Sequence, residues 1–232
     1  MNKPAITALI TVDTHNEFHF RDFGGKHLCR LMIDKLLSIG SIERVAITTE
    51  SPQVKEWYRV NNKVSFIDPL HPDRFSDDST ARILEEMHTS DLYTAHALEK
   101  VTGEHFMQTQ CINPLISVQT IEAAIDRYYT YVLNDEYKQF DSVMSLARVE
   151  KRLFEMKDYP EVSLRDDPHF VIFEDTVFNL FNRTQFMRNN KRKLGNRNPM
   201  FFDVPEIEHL TAETPASYQL AKLAYDNKHL FF

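Results

Sequence analysis

The chain is short of the residues that staple small proteins together and of those that cradle phosphates. Among 232 residues there are only two cysteines, Cys29 and Cys111, and five glycines, the first at Gly24. Two cysteines give neither a disulfide framework nor zinc-ligand spacing. Both sit in apolar surroundings and read as buried structural thiols rather than a nucleophile. The ten histidines read as scattered, without a metal-ligating set. No apolar run approaches the length of a membrane span, and the amino terminus lacks a signal-peptide pattern, so a cytoplasmic protein without a membrane partner is expected. Positive charge is also scarce: 27 Lys and Arg stand against 34 Asp and Glu, a net −7. A nucleic-acid partner is therefore not expected, since its backbone requires an extended basic surface. One basic cluster, 188–197 (RNNKRKLGNR), reads either as a solvated loop or as a contact for an anionic substrate.

What is present describes an ordinary globular domain, 42% hydrophobic and 26% charged, large enough for a substantial core. The run from 6 to 12 (ITALITV) is continuously apolar, the pattern of a strand buried on both faces. After Gly24-Gly25, the residues Leu28, Leu31, Met32, Lys35, Leu36 and Ile39 form a helical stripe, with Gly40 placed to close it. Strands follow at 45–49 and 64–67, and Ser51-Pro52 pairs a helix cap with a proline suited to the first turn. Residues 68–80 read as a loop, 80–88 and 91–101 as helices, and 141–146 as a strand. From 149 to 168 the chain reads as charged and irregular. Two strands at 171–173 and 177–181, one at 200–204 and a helix over 215–227 complete the pattern. Strands and helices alternate through the first 145 residues, which predicts a largely parallel sheet flanked by helices.

The segment 104–132, EHFMQTQCINPLISVQTIEAAIDRYYTYV, carries the most information. A short apolar run leads into Gln108, Thr109 and Gln110, then a rigid Asn113-Pro114 turn. A helix follows, capped by Ser117, with Ile121, Ile125, Tyr128 and Val132 at helical spacing. In alternating α/β folds, ligands gather where strands end and the chain turns toward the next helix. The polar side chains of this turn exceed what a connector needs; the alternative is a plain polar strand exit.

Four segments in order, 22–51, 108–125, 140–154 and 194–210, resemble the acylneuraminate cytidylyltransferase family over nearly the whole chain. The resemblance implies an α/β, Rossmann-like sugar-nucleotidyltransferase fold. It would form a single domain over 1–232, with a mostly parallel central sheet and a small antiparallel dimerisation arm at about 147–200. It further implies transfer of a cytidylyl group from CTP to a sugar acid, assisted by Mg²⁺, in a homodimer. The alternative is a catalytically impaired relative that binds a sugar or a partner enzyme without turnover.

The sequence departs from the family at the donor side. The segment 11–20, TVDTHNEFHF, has no glycine, lysine or arginine where the family places a cationic, glycine-rich phosphate loop. Arg21 and Lys26 are the nearest cations and the candidates for that catalytic role. At the family's metal positions Glu213 and Glu50 keep carboxylates; Asp13, which stands about where the family places its arginine, is the third candidate metal ligand if the three regroup. On the acceptor side, Gln108 or Gln110, Thr109 and Asn113 match the pocket-lining segment. Arg165 stands where a bidentate contact to a substrate carboxylate is implied, the alternative being a surface salt bridge, and Arg148 is a further candidate anion contact.

Overall fold

The computed structural model describes residues 4–70, 89–150, 154–156, 162–164, 170–188 and 198–230. Its centre is strand β1 (Ile6–Thr11), whose continuous apolar run is explained by burial on both faces. Ile6, Ala8 and Ile10 pack on one side with Met32, Ile33 and Leu36 of helix α1 (Leu28–Ser38), and with Ile121 and Ile125 of helix α4 (Val118–Arg127). Leu9 points the other way, into a cluster with Ala95 and Leu98 of helix α3 (Thr89–Lys100) and with Phe106, Phe181 and Phe186.

Seven strands form one sheet, in the order β11-β7-β10-β6-β1-β4-β5. Strands β4 (Ile42–Thr48), β5 (Val64–Ile67) and β6 (His105–Gln110) run parallel to β1. β10 (Phe170–Asn182) lies antiparallel between β6 and β7 (Ser142–Glu150), and β11 (Pro199–Asp203) closes the edge parallel to β7. Thus one reversed strand interrupts an otherwise parallel sheet, as the alternation of elements predicts for a mixed Rossmann-like fold. Two small antiparallel pairs accompany it: β2 (Asp22–Phe23) with β3 (Lys26–His27), and β8 (Phe154–Met156) with β9 (Val162–Leu164).

Local signals were read correctly where a cap was present. Ser51 accepts from the Val54 amide ahead of α2 (Pro52–Trp57), and Ser117 accepts from the Thr120 amide ahead of α4. Three expectations are corrected. Gly40 does not close α1 in a left-handed conformation: the helix ends at an extended Ile39, and Gly40 is not among the positive-φ residues. The two short strands expected at 171–173 and 177–181 are one strand, β10, with a register break between Glu174 and Asn179. The stretch expected to be irregular from 149 instead extends β7 to Glu150 and contributes β8 and β9. The loop and helix expected over 71–88 lie outside the described residues.

Candidate functional site

From β1 the chain winds outward through β4 and β5 on one side, and the later strands lie on the other. The order therefore reverses between β1 and β6, and ligands in open α/β sheets bind at the carboxyl ends of the strands at such a reversal. Three turns meet there. They follow β1, β4 and β6.

The turn after β1 is closed on itself. Asp13 N–H donates to His19 Nδ1 at 3.0 Å, and His15 N–H to Asp13 Oδ1 at 2.8 Å. Phe18 N–H donates to Asn16 Oδ1 at 3.0 Å, and backbone bonds take the amides of Asn16, His19 and Arg21. Short polar side chains thus consume the amides that a phosphate-binding loop would present. His15 and His19 stand four apart, a spacing passed over in the sequence. However, His15 is exposed, whereas His19 is buried and spent on Asp13. Burial lowers the His19 pKa against the pull of the Asp13 carboxylate, so the ring is held neutral with Nδ1 as acceptor.

The turn after β4 ties the first two together: Thr49 Oγ1 donates to Val12 O at 2.8 Å and accepts from Ser51 N–H at 3.1 Å. The turn after β6 is anchored by Cys111, whose thiol donates to Thr11 O at 3.2 Å. Burial raises the Cys111 thiol and pushes Cys29 up to about 12, in keeping with structural thiols. Asn113 is fully buried, and neither polar atom of its side chain has a partner. Buried amides are almost always bonded, so the unpartnered Asn113 singles this turn out as a candidate site.

Strand alternation sorts the remaining polar residues. Gln108 lies opposite Asn179 in the sheet, and its Oε1 accepts from Thr94 Oγ1 of α3 at 3.1 Å. Gln110 lies opposite Thr11, two residues further along the same face of the strand. Asn179 Oδ1 is buried without a partner. Thr109 faces the other way and donates to Val177 O at 2.7 Å, so it is not brought to the face of the two glutamines. Asn179 takes the place beside Gln108 instead.

The candidate cations are engaged. Arg21 pairs with Glu17 at 2.8 Å, its guanidinium over the Phe18 ring at 4.4 Å; Lys26 pairs with Asp34 at 2.7 Å. Arg148 lies on β7 opposite Ile172, and Arg165 lies outside the described residues, as do residues 189–197 of the basic cluster. Asp13, Glu50 and Glu213 are all exposed, and the structure does not gather them. Among the described residues no three His, Cys, Asp or Glu side chains come together to hold a metal ion. The donor set for Mg²⁺ is thus not assembled from the three expected carboxylates.

Two buried charged residues that the sequence does not single out hold the loop after β6. Lys35 lies in the apolar stripe of α1, and its Nζ donates to Pro114 O at 2.8 Å and to Ile116 O. Burial lowers its pKa to about 8, partly opposed by Glu208 and reinforced by Lys228. Glu208, 1% exposed, accepts from Ser117 N–H at 3.2 Å and from Thr120 Oγ1 at 3.0 Å. A lysine inside an apolar stripe was the available signal for the first; nothing in the sequence signalled the second. A cavity of about 460 Å³ adjoins this loop, lined by Lys35, Pro114, Ile116, Ser117, Tyr225 and Lys228 among others. A larger one, about 550 Å³, is lined by Pro4 and Ala5, which precede β1, and by Gly40 and Ser41, which precede β4, so it lies at the wrong edge of the sheet for this site.

No protein-family model matches the chain, and no curated protein matches it in sequence. Solved structures do. A 4-diphosphocytidyl-2C-methyl-D-erythritol synthase from Anaerococcus prevotii superposes with a TM-score of 0.66 at 10% identity, covering 97% of this chain and 100% of that one. A second synthase of that name superposes at 0.65 and 10% identity, covering 95% and 99%. A CMP:2-keto-3-deoxy-manno-octonic acid synthetase solved with CTP superposes at 0.60 and 11% identity, covering 97% and 99%. The chain has the fold of these cytidylyltransferases. At such identities the likeness is one of architecture, and it bears out the Rossmann-like nucleotidyltransferase fold implied by the sequence resemblance. The acylneuraminate family itself is not singled out.

Proposed function

We propose that the crevice at the carboxyl ends of β1, β4 and β6 binds CTP and a sugar-type acceptor, and that the chain transfers a cytidylyl group between them. The acceptor class favoured by the sequence resemblance is a sugar acid of the nonulosonic or acylneuraminate kind. The observation that carries this reading is the unpartnered Asn113 amide at the strand reversal of a fold shared with cytidylyltransferases. An amide offers a donor and an acceptor together, which suits the edge of cytosine or a sugar hydroxyl pair. Gln108 and Asn179 offer two further amides side by side on the sheet, and Gln110 lies at the end of β6 toward the turn.

In the reaction, the acceptor hydroxyl oxygen bonds to the α-phosphorus of CTP. The bond to the β-phosphate oxygen breaks, pyrophosphate leaves with the bonding pair, and the hydroxyl proton passes to water. This chain contributes orientation, with the acceptor held in line by amide groups on rigid strands. Arg148 and Arg165 are assigned to the acceptor carboxylate, and Arg21 and Lys26 to the charge of the donor. No step is routed through Mg²⁺, because Asp13, Glu50 and Glu213 are not brought together. A homodimer built through the arm at 147–200 completes the proposal.

A second reading has its own support. The closed, acidic turn after β1 offers a triphosphate few amides and two repelling carboxylates, Asp13 and Glu17. This favours a protein that binds a nucleotide or sugar without turning it over. Pyrophosphate release separates the two. CTP with a panel of sugar acids and sugar phosphates should yield pyrophosphate with at least one acid. Release with sugar phosphates alone would reassign the acceptor, and CTP binding without any release would favour the second reading.

A further inference from the structure

We propose that Lys35 and Glu208 are positioning residues: together they bracket the loop after β6 and hold the Asn113 amide unpartnered for a ligand that neither of them touches. The inference deepens the reading of the crevice and depends on it only for the identity of the ligand.

A buried amide with neither atom bonded is unfavourable, and a loop free to adjust would rotate it toward a partner. The loop leaving β6 is not free to adjust. From one side Lys35, reaching from the middle of α1, donates to the carbonyls of Pro114 and Ile116 and lies 3.9 Å from Met32 Sδ. From the other side Glu208 accepts from the Ser117 amide and the Thr120 hydroxyl. A third tie comes from Ala212, whose amide donates to Ile112 O at 2.8 Å. The backbone is thereby held at Ile112, Pro114, Ile116 and Ser117, on both sides of Asn113.

The choice of side chains argues for more than stability. A charge buried without a close carboxylate is expensive, and an apolar side chain of the same length serves a helix stripe at lower cost. Burial disfavours the charged form of Lys35, with Glu208 opposing that effect through space and Lys228 adding to it. Leu28, Met32 and Leu36 fill the rest of the stripe apolarly. A lysine kept there is explained by the two carbonyls that only a long donor can reach. The bracketing groups come from α1 and from the segment just after β11, so two distant parts of the chain set the geometry of a third.

The test uses the full chain in four forms: unaltered, Lys35→Met, Asn113→Ala and the double variant, with Lys35→Arg as the conservative control. CTP is the calorimetric probe, and amide hydrogen exchange reports on the loop. Lys35→Met should speed exchange at Ile116 and Ser117 about tenfold while the amides of β1 and β4 keep their protection. It should weaken CTP about tenfold in the otherwise unaltered chain and not at all in the Asn113→Ala background, because the lysine acts through the asparagine. Lys35→Arg, which keeps the donors, should retain most of the affinity.

Additive losses in the double variant, or exchange that accelerates uniformly or not at all, would overturn the proposal. Should Lys35→Met fail to fold, Glu208→Gln decides the matter from the other side by the same two readouts. Absence of CTP binding by the unaltered chain would sink the nucleotide reading alone. The bracket would then be judged on exchange, where local loosening supports it and an unchanged or uniform pattern refutes it.

Discussion

His19 matters because of a proton it does not carry. Its Nδ1 accepts the Asp13 amide, which only a neutral ring can do, and burial lowers its pKa below the ordinary 6.5. The folded chain therefore binds fewer protons than the unfolded chain just below that value. This stabilisation is complete at neutral pH and is lost as pH falls from about 6.5 through the folded value. His105, also lowered by burial, acts in the same direction. Denaturant unfolding at a series of pH values should show stability falling on the acid side, with the slope reduced but not abolished in His19→Gln. Lys35 has the converse partner range. Its lowered value, about 8 against an ordinary 10.5, means that the penalty of its charge is relieved as pH rises through that interval. The stability of the unaltered chain minus that of Lys35→Met should therefore increase from pH 8 upward. Asp13→Asn keeps the Oδ1 acceptor for the His15 amide and removes one repelling charge. It should tighten CTP severalfold by calorimetry; unchanged affinity would place that turn away from the phosphates.

Among the elements, the β2–β3 hairpin and the end of α3 show what the sequence made legible and what it hid. Gly24-Gly25 was readable as a turn, and both residues have positive φ, 63° and 82°, as a two-residue hairpin loop requires. What could not be read was Tyr225, 201 residues away in the helix α5 (Pro215–Asp226): a Cβ on Gly24 would stand 2.3 Å from its ring. Gly24→Ala should destabilise the fold by about 1–3 kcal/mol, from strain and clash together. Arg183 was invisible for the same reason. It follows β10 and donates to the carbonyls of Leu98, Val101 and Gly103, closing α3 from outside. Arg183→Met should cost about 2 kcal/mol in thermal or denaturant unfolding, since bonds from a charged donor are lost. Caps, apolar runs and paired glycines are local and could be read directly. The long β10 spans a register break that periodicity saw as two strands, and the partners of Thr109, Lys35 and Glu208 are set by topology alone.

For the whole molecule, the strand order places the candidate crevice; alternation and resemblance pointed to a largely parallel sheet, and the order itself came from the structure. On the acceptor side, Gln108 and Gln110 share one face of β6, with Asn179 opposite Gln108, and Asn113 lies in the turn that follows that strand. On the donor side, Arg21 and Lys26 pair with carboxylates, and Asp13, Glu50 and Glu213 do not form a group of three that could hold a metal ion. The fold is that of the solved cytidylyltransferases, while the turn after β1 is acidic and bonded to itself. The most direct measurement is calorimetric titration of the unaltered chain and of Asn113→Ala with CTP at neutral pH. Saturable binding that weakens about tenfold in the variant is the predicted result. No heat of binding in the unaltered chain, or equal affinity in the two proteins, would contradict the assignment of the crevice.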